Sequence, residues 1–360
     1  VNNTDGTCTA NITNNLSNRN KVINGAMICS QRGNSFAAAN NAYTLDRFKI
    51  NGSHNGAVTV SQSSTSPDGF AKSLKVDVTT ADTSIGSGQY IQLNHRIEAQ
   101  NLQDLAFGTS AAKTITVSFY VRSNVTGNYS FAIQLPDNSN KQVSLVYTIN
   151  SADTWERKTF SIAGDTSGGI NDDNGNGFNI FWNLAIGTTY TSGTQRSAWH
   201  AYADGDFAAG HAVNLLSSTS NEWHLTGVQI EVNSSGVATD FEHRSFGEEL
   251  LKCQRYCYVD RGSNDYHAVS IGFFSGNTFI SMLYTPVCMR AAPTLAYPVG
   301  TWIVSGDSGT ISNSNIYPSD LIGESNAMQI RAACSGASSG EGGFLRTSSA
   351  PHKWILDAEL

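Results

Sequence analysis

Residues 113–121, KTITVSFYV, alternate polar with β-branched or aromatic side chains along almost their whole length. Successive side chains of a strand point to opposite faces, so alternation of this kind is what a half-buried strand requires and what a helix cannot use. The same texture recurs at 73–78, 90–97, 129–135, 142–149, 156–162, 178–186 and 225–232, each run bounded by Gly, Asn, Asp or Ser. With 22–27 and 43–50 added, roughly ten strands are predicted, at the spacing of an antiparallel sandwich. The fold class that follows is all-β: a jelly-roll-like β-sandwich over residues 21–245.

The switch of period in 225–259 marks where that body ends. After the strand at 225–232 comes the turn cluster Asn233-Ser234-Ser235-Gly236, then Phe241 and the polar Glu242, His243 and Arg244. Ser245 is placed to cap a helix, with Glu248 and Glu249 in its first turn and Leu250, Leu251, Gln254 and Arg255 at helical spacing. A short linking helix over 246–258 is therefore expected. Runs at 266–274, 278–284, 294–304 and 326–334, and the ending 354–360, predict a smaller C-terminal β-domain over 259–360. Its Gly/Ser-rich stretch 335–343 reads as a loop or hairpin tip, and 101–105 as a helical turn. Residues 1–20 are polar and Asn-rich, with too little apolar surface to order themselves, and read as an N-terminal arm that a partner orders.

Composition removes several function classes. A net charge of −7 and a pI near 5.6 give no electrostatic footprint for nucleic acid, which needs clustered Lys and Arg. No window of about 18 apolar residues is present for membrane insertion, and no basic segment leading into an apolar one suggests a signal peptide. Charged residues are only 14% of the chain while Gly, Ser, Thr and Asn abound, which favours short strands and turns over long helices. The six cysteines are expected to be reduced and packed. Cys253 and Cys257 should lie about one turn apart on one helix face, and a single CxxxC lacks the four ligands of a structural zinc site.

Two segments carry candidate chemistry. Asp172, Asn174 and Asn176, in DDNGNG, match the first half of a calcium loop, where alternate side-chain oxygens converge on a hard cation. Position twelve of that pattern is Asn183, not Glu, and no helices flank it, so an EF-hand is excluded. An ordinary turn is the competing reading, and calcium is the one cofactor considered. Between Trp182 and Trp223, aromatic and polar residues crowd a segment without clear period. Trp and Tyr faces stack on sugar rings while Asp and Arg bond hydroxyls, so Trp199, Tyr202, Asp204, Arg196 and Trp182 are the candidates for a glycan or partner contact. The alternative is that these aromatics plug the end of the sandwich.

Catalysis is not expected. The pairs Glu248/Glu249 and Asp204/Asp206, and His211 with Ser217, have no recognisable context; there is no G-x-S-x-G nucleophile elbow, no H-E-x-x-H and no P-loop. The two glutamates suit the helix dipole.

Several blocks resemble bacteriophage tail-fibre and related virion appendage proteins: NKVINGAM (20–27), Gln31-Arg32-Gly33, YTLDRF (43–48), VSFYVRSNVTGNYS (117–130), DTWERKTFSIAGDTSGG (153–169), TGVQIEVNSSGVATDFEHRSFGEELLKCQRYCY (226–258), MRAAPTL (289–295) and LDAEL (356–360). The resemblance implies a carbohydrate-binding-module-like β-sandwich followed by a small distal β-domain, displayed on a virion and often trimeric. It implies a structural or receptor-binding role, with other virion proteins and a host-surface glycan as partners and a polysaccharide depolymerase as the less favoured reading. No long anchor or coiled-coil shaft precedes Lys21, which keeps a head fibre or tail accessory subunit beside a tail fibre. The aromatic segment 195–211 lies outside the shared blocks, so the resemblance assigns no glycan contacts.

Overall fold

A computed structural model of the chain describes residues 18–38, 40–262, 267–299, 302–306, 309–313, 316–320, 326–334, 338–347 and 352–360. Two six-stranded sheets face each other. One runs β1 (Ser35–Ala37), β4 (Ala57–Ser63), β5 (Ser73–Thr80), β12 (Glu222–Val232), β7 (Ile115–Ser123), β10 (Glu156–Ile162). The other runs β2 (Ala42–Tyr43), β3 (Phe48–Ser53), β6 (Tyr90–Glu98), β11 (Asn176–Ile186), β8 (Gly127–Leu135), β9 (Lys141–Ile149). All pairings are antiparallel and the chain repeatedly changes sheet, which makes the sandwich jelly-roll-like.

The alternation seen in the sequence decides what each face does. In β11, Phe178, Ile180, Trp182 and Leu184 enter the core between the sheets, while Asn179, Phe181 and Asn183 face outward. Trp182 sits at the centre of that core, with ring centroids 5.3 Å from Phe131 and 5.9 Å from Phe119. Burying side chains of this size, each worth about 1.5–3 kcal/mol, is what offsets the ordering of so many short strands.

Three expectations fail locally. Residues 21–27 form a turn instead of a strand, because Asn24 and Met27 adopt left-handed backbone angles (φ 61° and 59°) that no strand tolerates. The run 43–50 is broken at Arg47 (φ 71°), so that only its ends are strands. Of the two α-helices described, α1 (Thr188–Thr191) and α2 (Phe246–Gln254), the second has the expected Ser245–Glu248 capping box but is shorter than expected. It stops at Gln254, and β13 (Cys257–Gly262) begins three residues on, so Cys253 and Cys257 belong to different elements. Cys29, Cys253, Cys257 and Cys288 are free thiols.

Beyond α2, β13 pairs with β22 (His352–Asp357), which pairs with β16 (Thr294–Val299). A seven-stranded sheet runs β18 (Gly309–Asn313), β17 (Trp302–Gly306), β21 (Gly342–Thr347), β14 (Ala268–Ser275), β15 (Thr278–Tyr284), β20 (Ala327–Ala333), β19 (Ile316–Asp320). The single strand expected over 294–304 is thus two strands in different sheets. Of the expected arm, residues up to 17 lie outside the described ones, whereas Asn20 is buried and exchanges side-chain hydrogen bonds with Val228 O and Ile230 N. The first part of the 335–343 loop, 335–337, also lies outside the described residues.

Six of the eight blocks behind the family resemblance meet at one place. The turn of NKVINGAM lies along β12, with Lys21 N donating to Ile230 O (2.9 Å) and Val228 N to Gly25 O (3.0 Å). Glu249 of α2 accepts from Asn24 N, and Asn24 Nδ2 donates to Cys29 O (2.8 Å) and Asp46 O (2.9 Å). Arg47 pairs with Glu359 and lies 3.5 Å above the Tyr256 ring, while Arg32 pairs with Asp357 (2.8 Å) and Glu359 (3.2 Å). Arg290 donates to Ala358 O (2.8 Å), Glu359 O (2.9 Å) and Asn174 O (2.9 Å). A buried charge is tolerated only when paired and hydrogen-bonded, and here each guanidinium has a carboxylate or carbonyl opposite it.

Candidate functional site

The outward face of the second sheet carries a carpet of amides. Register puts Asn179 beside Arg96 and Gln134, Phe181 beside Asn94 and Ala132, and Asn183 beside Gln92, which in turn lies beside Asn51. Over one half of this face folds the segment after β11, built from α1 and a 3-10 turn at Asp204–Asp206. Between segment and sheet lies a cleft of about 190 Å³ lined by Tyr90, Gln92, Gln134, Phe181, Ile186, Tyr190, Tyr202 and Phe207. Tyr90 and Tyr190 meet edge-on at 5.8 Å, and Phe207 meets Phe181 edge-on at 5.2 Å.

The wall of the cleft is held by hydrogen bonds. Asp206 accepts from Thr194 N (2.6 Å) and from Arg196 Nε (3.0 Å), and a Cβ on Gly193 would fall 2.1 Å from Asp206 Oδ1, so only glycine fits there. His200 and Gln142 exchange backbone bonds of 3.0 and 2.8 Å, and Ser144 Oγ donates to Phe207 O at 3.0 Å. The Thr194 amide, aided against burial by Arg196, holds the Asp206 carboxyl below the usual aspartate range. Burial first, and then its 2.5 Å hydrogen bond to Asp204, push the Tyr202 phenol well up; burial, Tyr90 and Asp204 do the same to Tyr190. Both phenols are therefore neutral near pH 7, with faces free of charge and hydroxyls able to bond.

The structure distributes the sequence candidates over different jobs. Tyr202 lines the cleft, Asp204 bonds Tyr202, and Arg196 fastens the wall through Asp206. Trp199 does not enter the cleft: its Nε1 donates to Ala163 O (2.8 Å) and its ring packs on Phe107 (5.7 Å) and Phe178 (6.2 Å), the plugging role. Trp182 is fully buried and offers no face to a ligand, because its place in the alternation of β11 points it inward. Sequence reasoning missed Tyr90, Gln92, Gln134 and Phe181. Phe181 had a signal, since it is an aromatic at a polar-face position of an alternating strand; the others required the register.

The calcium candidates lie in the bend that leads into β11. Asp173 Oδ1 accepts from Gly175 N (2.8 Å), the bond of an ordinary turn, and Asn174 Nδ2 is aimed at Arg290 O (2.8 Å). Asp172 is exposed, and Asn176 opens β11. Among the described residues no group of three or more His, Cys, Asp or Glu is arranged to hold a metal, and no helix is long and apolar enough to cross a membrane.

No protein-family model matches the chain, and no curated protein matches it. Solved structures similar to it include the enzymatically active domain of tailspike protein 4 of bacteriophage CBA120, at 12% identity and TM-score 0.34, covering 60% of this chain and 22% of that one. The family 11 carbohydrate-binding module of the Clostridium thermocellum cellulosomal cellulase Lic26A-Cel5E is 11% identical with TM-score 0.28, covering 55% of this chain and 95% of that one. TmCBM61 in complex with beta-1,4-galactotriose is 10% identical with TM-score 0.29, covering 60% of this chain and 99% of that one.

Proposed function

We propose that the chain is a non-enzymatic glycan-binding subunit of a phage virion appendage, using the cleft over the second sheet to engage a sugar of the host surface. The observation that carries this reading is the composition of the cleft: neutral Tyr90, Tyr190 and Tyr202 beside Phe181 supply stacking faces, and Gln92 and Gln134 supply donors and acceptors for hydroxyls. The nearby carboxylates support binding over catalysis, because Asp204 is engaged by Tyr202 and Asp206 by Thr194 and Arg196. The virion setting, with other virion proteins as partners and a trimer as the assembly, rests on the sequence blocks that resemble tail-fibre proteins.

A glycan array probed with the whole chain and with Tyr190→Ala tests the binding reading. The expected result is a defined set of oligosaccharide signals that the variant loses; an array blank for both proteins would overturn it. The virion setting is tested separately, by mass spectrometry of purified particles. Release of reducing ends from a bound polysaccharide would favour the depolymerase reading instead.

A further inference from the structure

Four cations gather around one cavity beside α2, and no carboxylate is among the described residues that line it. Lys252 and Arg255 lie three residues apart at the end of the helix and so on one face of it, Arg244 precedes the helix cap, and Lys21 comes from the turn at 21–27. With the exposed amides of Asn18 and Asn101 they enclose about 330 Å³, more than the cleft over the second sheet and within the roughly 300–1,000 Å³ of small-molecule pockets. Three of the cations are held from behind: Lys21 by Asp104 (2.8 Å), Arg244 by Glu242 (3.1 Å) and Glu249 (3.3 Å), and Arg255 by Glu98 (2.5 Å). Lys252 is different. It makes no hydrogen bond or ion pair with any described residue; burial, and then Arg244, push its ammonium below the ordinary 10.5, and Glu249, Glu242 and Glu248 offset this only in part.

The dipole of α2 accounts for cations in its last turn, but not for Lys21 and Arg244 facing the same space. Like charges around a cavity disfavour one another unless something negative lies among them, and a half-buried ammonium without a partner carries that cost. We infer that the cavity is a second binding site, for an oxyanion carried on a small polar frame: a sugar acid or a sugar phosphate. The anion takes the free Nζ hydrogens of Lys252 and those of Lys21 that Asp104 leaves, with Arg244 and Arg255 adding charge from the wall. Asn18 and Asn101 supply donors and acceptors for hydroxyls. A bare phosphate leaves most of the volume unused, and a neutral sugar leaves Lys252 without a counter-charge. The site shares no residue with the cleft lined by Tyr190 and Tyr202, so it stands whether or not that cleft binds a glycan.

Isothermal titration calorimetry of the whole chain with glucuronate, glucose-6-phosphate, inorganic phosphate and glucose tests this, in the natural chain and in Tyr190→Ala, which disables the cleft. In Tyr190→Ala one of the two sugar anions is expected to bind at least about tenfold more tightly than inorganic phosphate or glucose, and as tightly as in the natural chain. Lys252→Gln should lose at least about tenfold of that affinity with an unchanged thermal transition, and Lys252→Arg should keep most of it. If Lys252→Gln fails to fold, Asn101→Asp, which sets a carboxylate at the exposed rim, is expected to weaken binding at least about threefold. No binding of either sugar anion up to about 10 mM overturns the inference, as does an affinity that Lys252→Gln and Asn101→Asp both leave unchanged. Inorganic phosphate binding as tightly as the sugar anions also overturns it, because the rest of the cavity then goes unused. Loss of anion binding in Tyr190→Ala overturns it as well, by moving the anion to the cleft.

Discussion

Arg255, just past the end of α2, grips Glu98, the last residue of β6, through two hydrogen bonds of 2.9 and 2.5 Å. The Glu98 side chain has no exposure, and Tyr256 Oη and Gln100 Nε2 complete its shell. Burial alone would raise its pKa; the hydrogen bonds from Arg255 and Tyr256 outweigh that and hold it below the ordinary 4.5.

Arg255→Gln is expected to cost about 3 kcal/mol in denaturant unfolding, because it leaves a buried carboxylate short of its main partner. A carboxyl with a depressed folded pKa contributes stability that is present above its unfolded value and lost as pH falls through the folded one. In the variant, burial is no longer outweighed, so the acid transition should begin at higher pH than in the natural chain. Coincident acid titrations followed by circular dichroism would refute this.

Trp199→Ala should separate stability from binding. The ring closes the flank of the sandwich against Phe107 and Phe178, so truncation is expected to cost about 2 kcal/mol, part of the usual range because the ring is only partly buried. Glycan affinity by calorimetry should stay within about twofold, whereas Tyr202→Ala should lose at least tenfold, roughly 1.4 kcal/mol. The reverse pattern would move the site to Trp199.

What was legible in the sequence and what was not follows one physical rule. The strands at 73–78, 90–97 and 278–284 were readable because one buried face imposes period two on the chain itself. The turn at 21–27 was not, because its apolar Val22 and Met27 join the sandwich core without lying on a strand, and left-handed angles at Asn24 and Met27 leave no period. The cleft was half legible for the same reason. Tyr202 sits in an irregular aromatic segment that invites attention, while Gln92 and Gln134 become a floor only once β6 and β8 pair with β11 in register.

Gly25→Ala tests the junction at its tightest point. A Cβ there would fall 2.2 Å from Val228 O, a backbone atom fixed within β12, so neither side can yield cheaply. Loss of soluble protein, or a cost of at least about 3 kcal/mol, is expected. Gly247→Ala, in the first turn of α2, is the control: a Cβ there meets nothing within 4 Å, and a gain of up to about 1 kcal/mol is expected. Equal thermal transitions for Gly25→Ala and the natural chain would show that the turn does not rest on β12 as described.

Asp206→Asn tests whether the cleft wall is held in place or merely lies there. The substitution keeps the size of the side chain and its acceptor oxygen for Thr194 N, but removes the charge that faces Arg196. If the wall positions Tyr190 and Tyr202, glycan affinity at pH 7 should fall about fivefold while the unfolding transition stays within error, since the segment is peripheral to the core. The same side chain sets a pH dependence. Its folded pKa lies below 3.8, so the charged clamp is complete above the ordinary aspartate value and is lost as pH falls through the depressed one. Binding by the natural chain should therefore hold to lower pH than an unperturbed aspartate would allow, and Asp206→Asn should show weakened binding with that acid limb missing. An affinity for the variant equal to that of the natural chain at pH 7 would mean that the wall keeps its shape through Gly193 and the His200–Gln142 backbone pair alone.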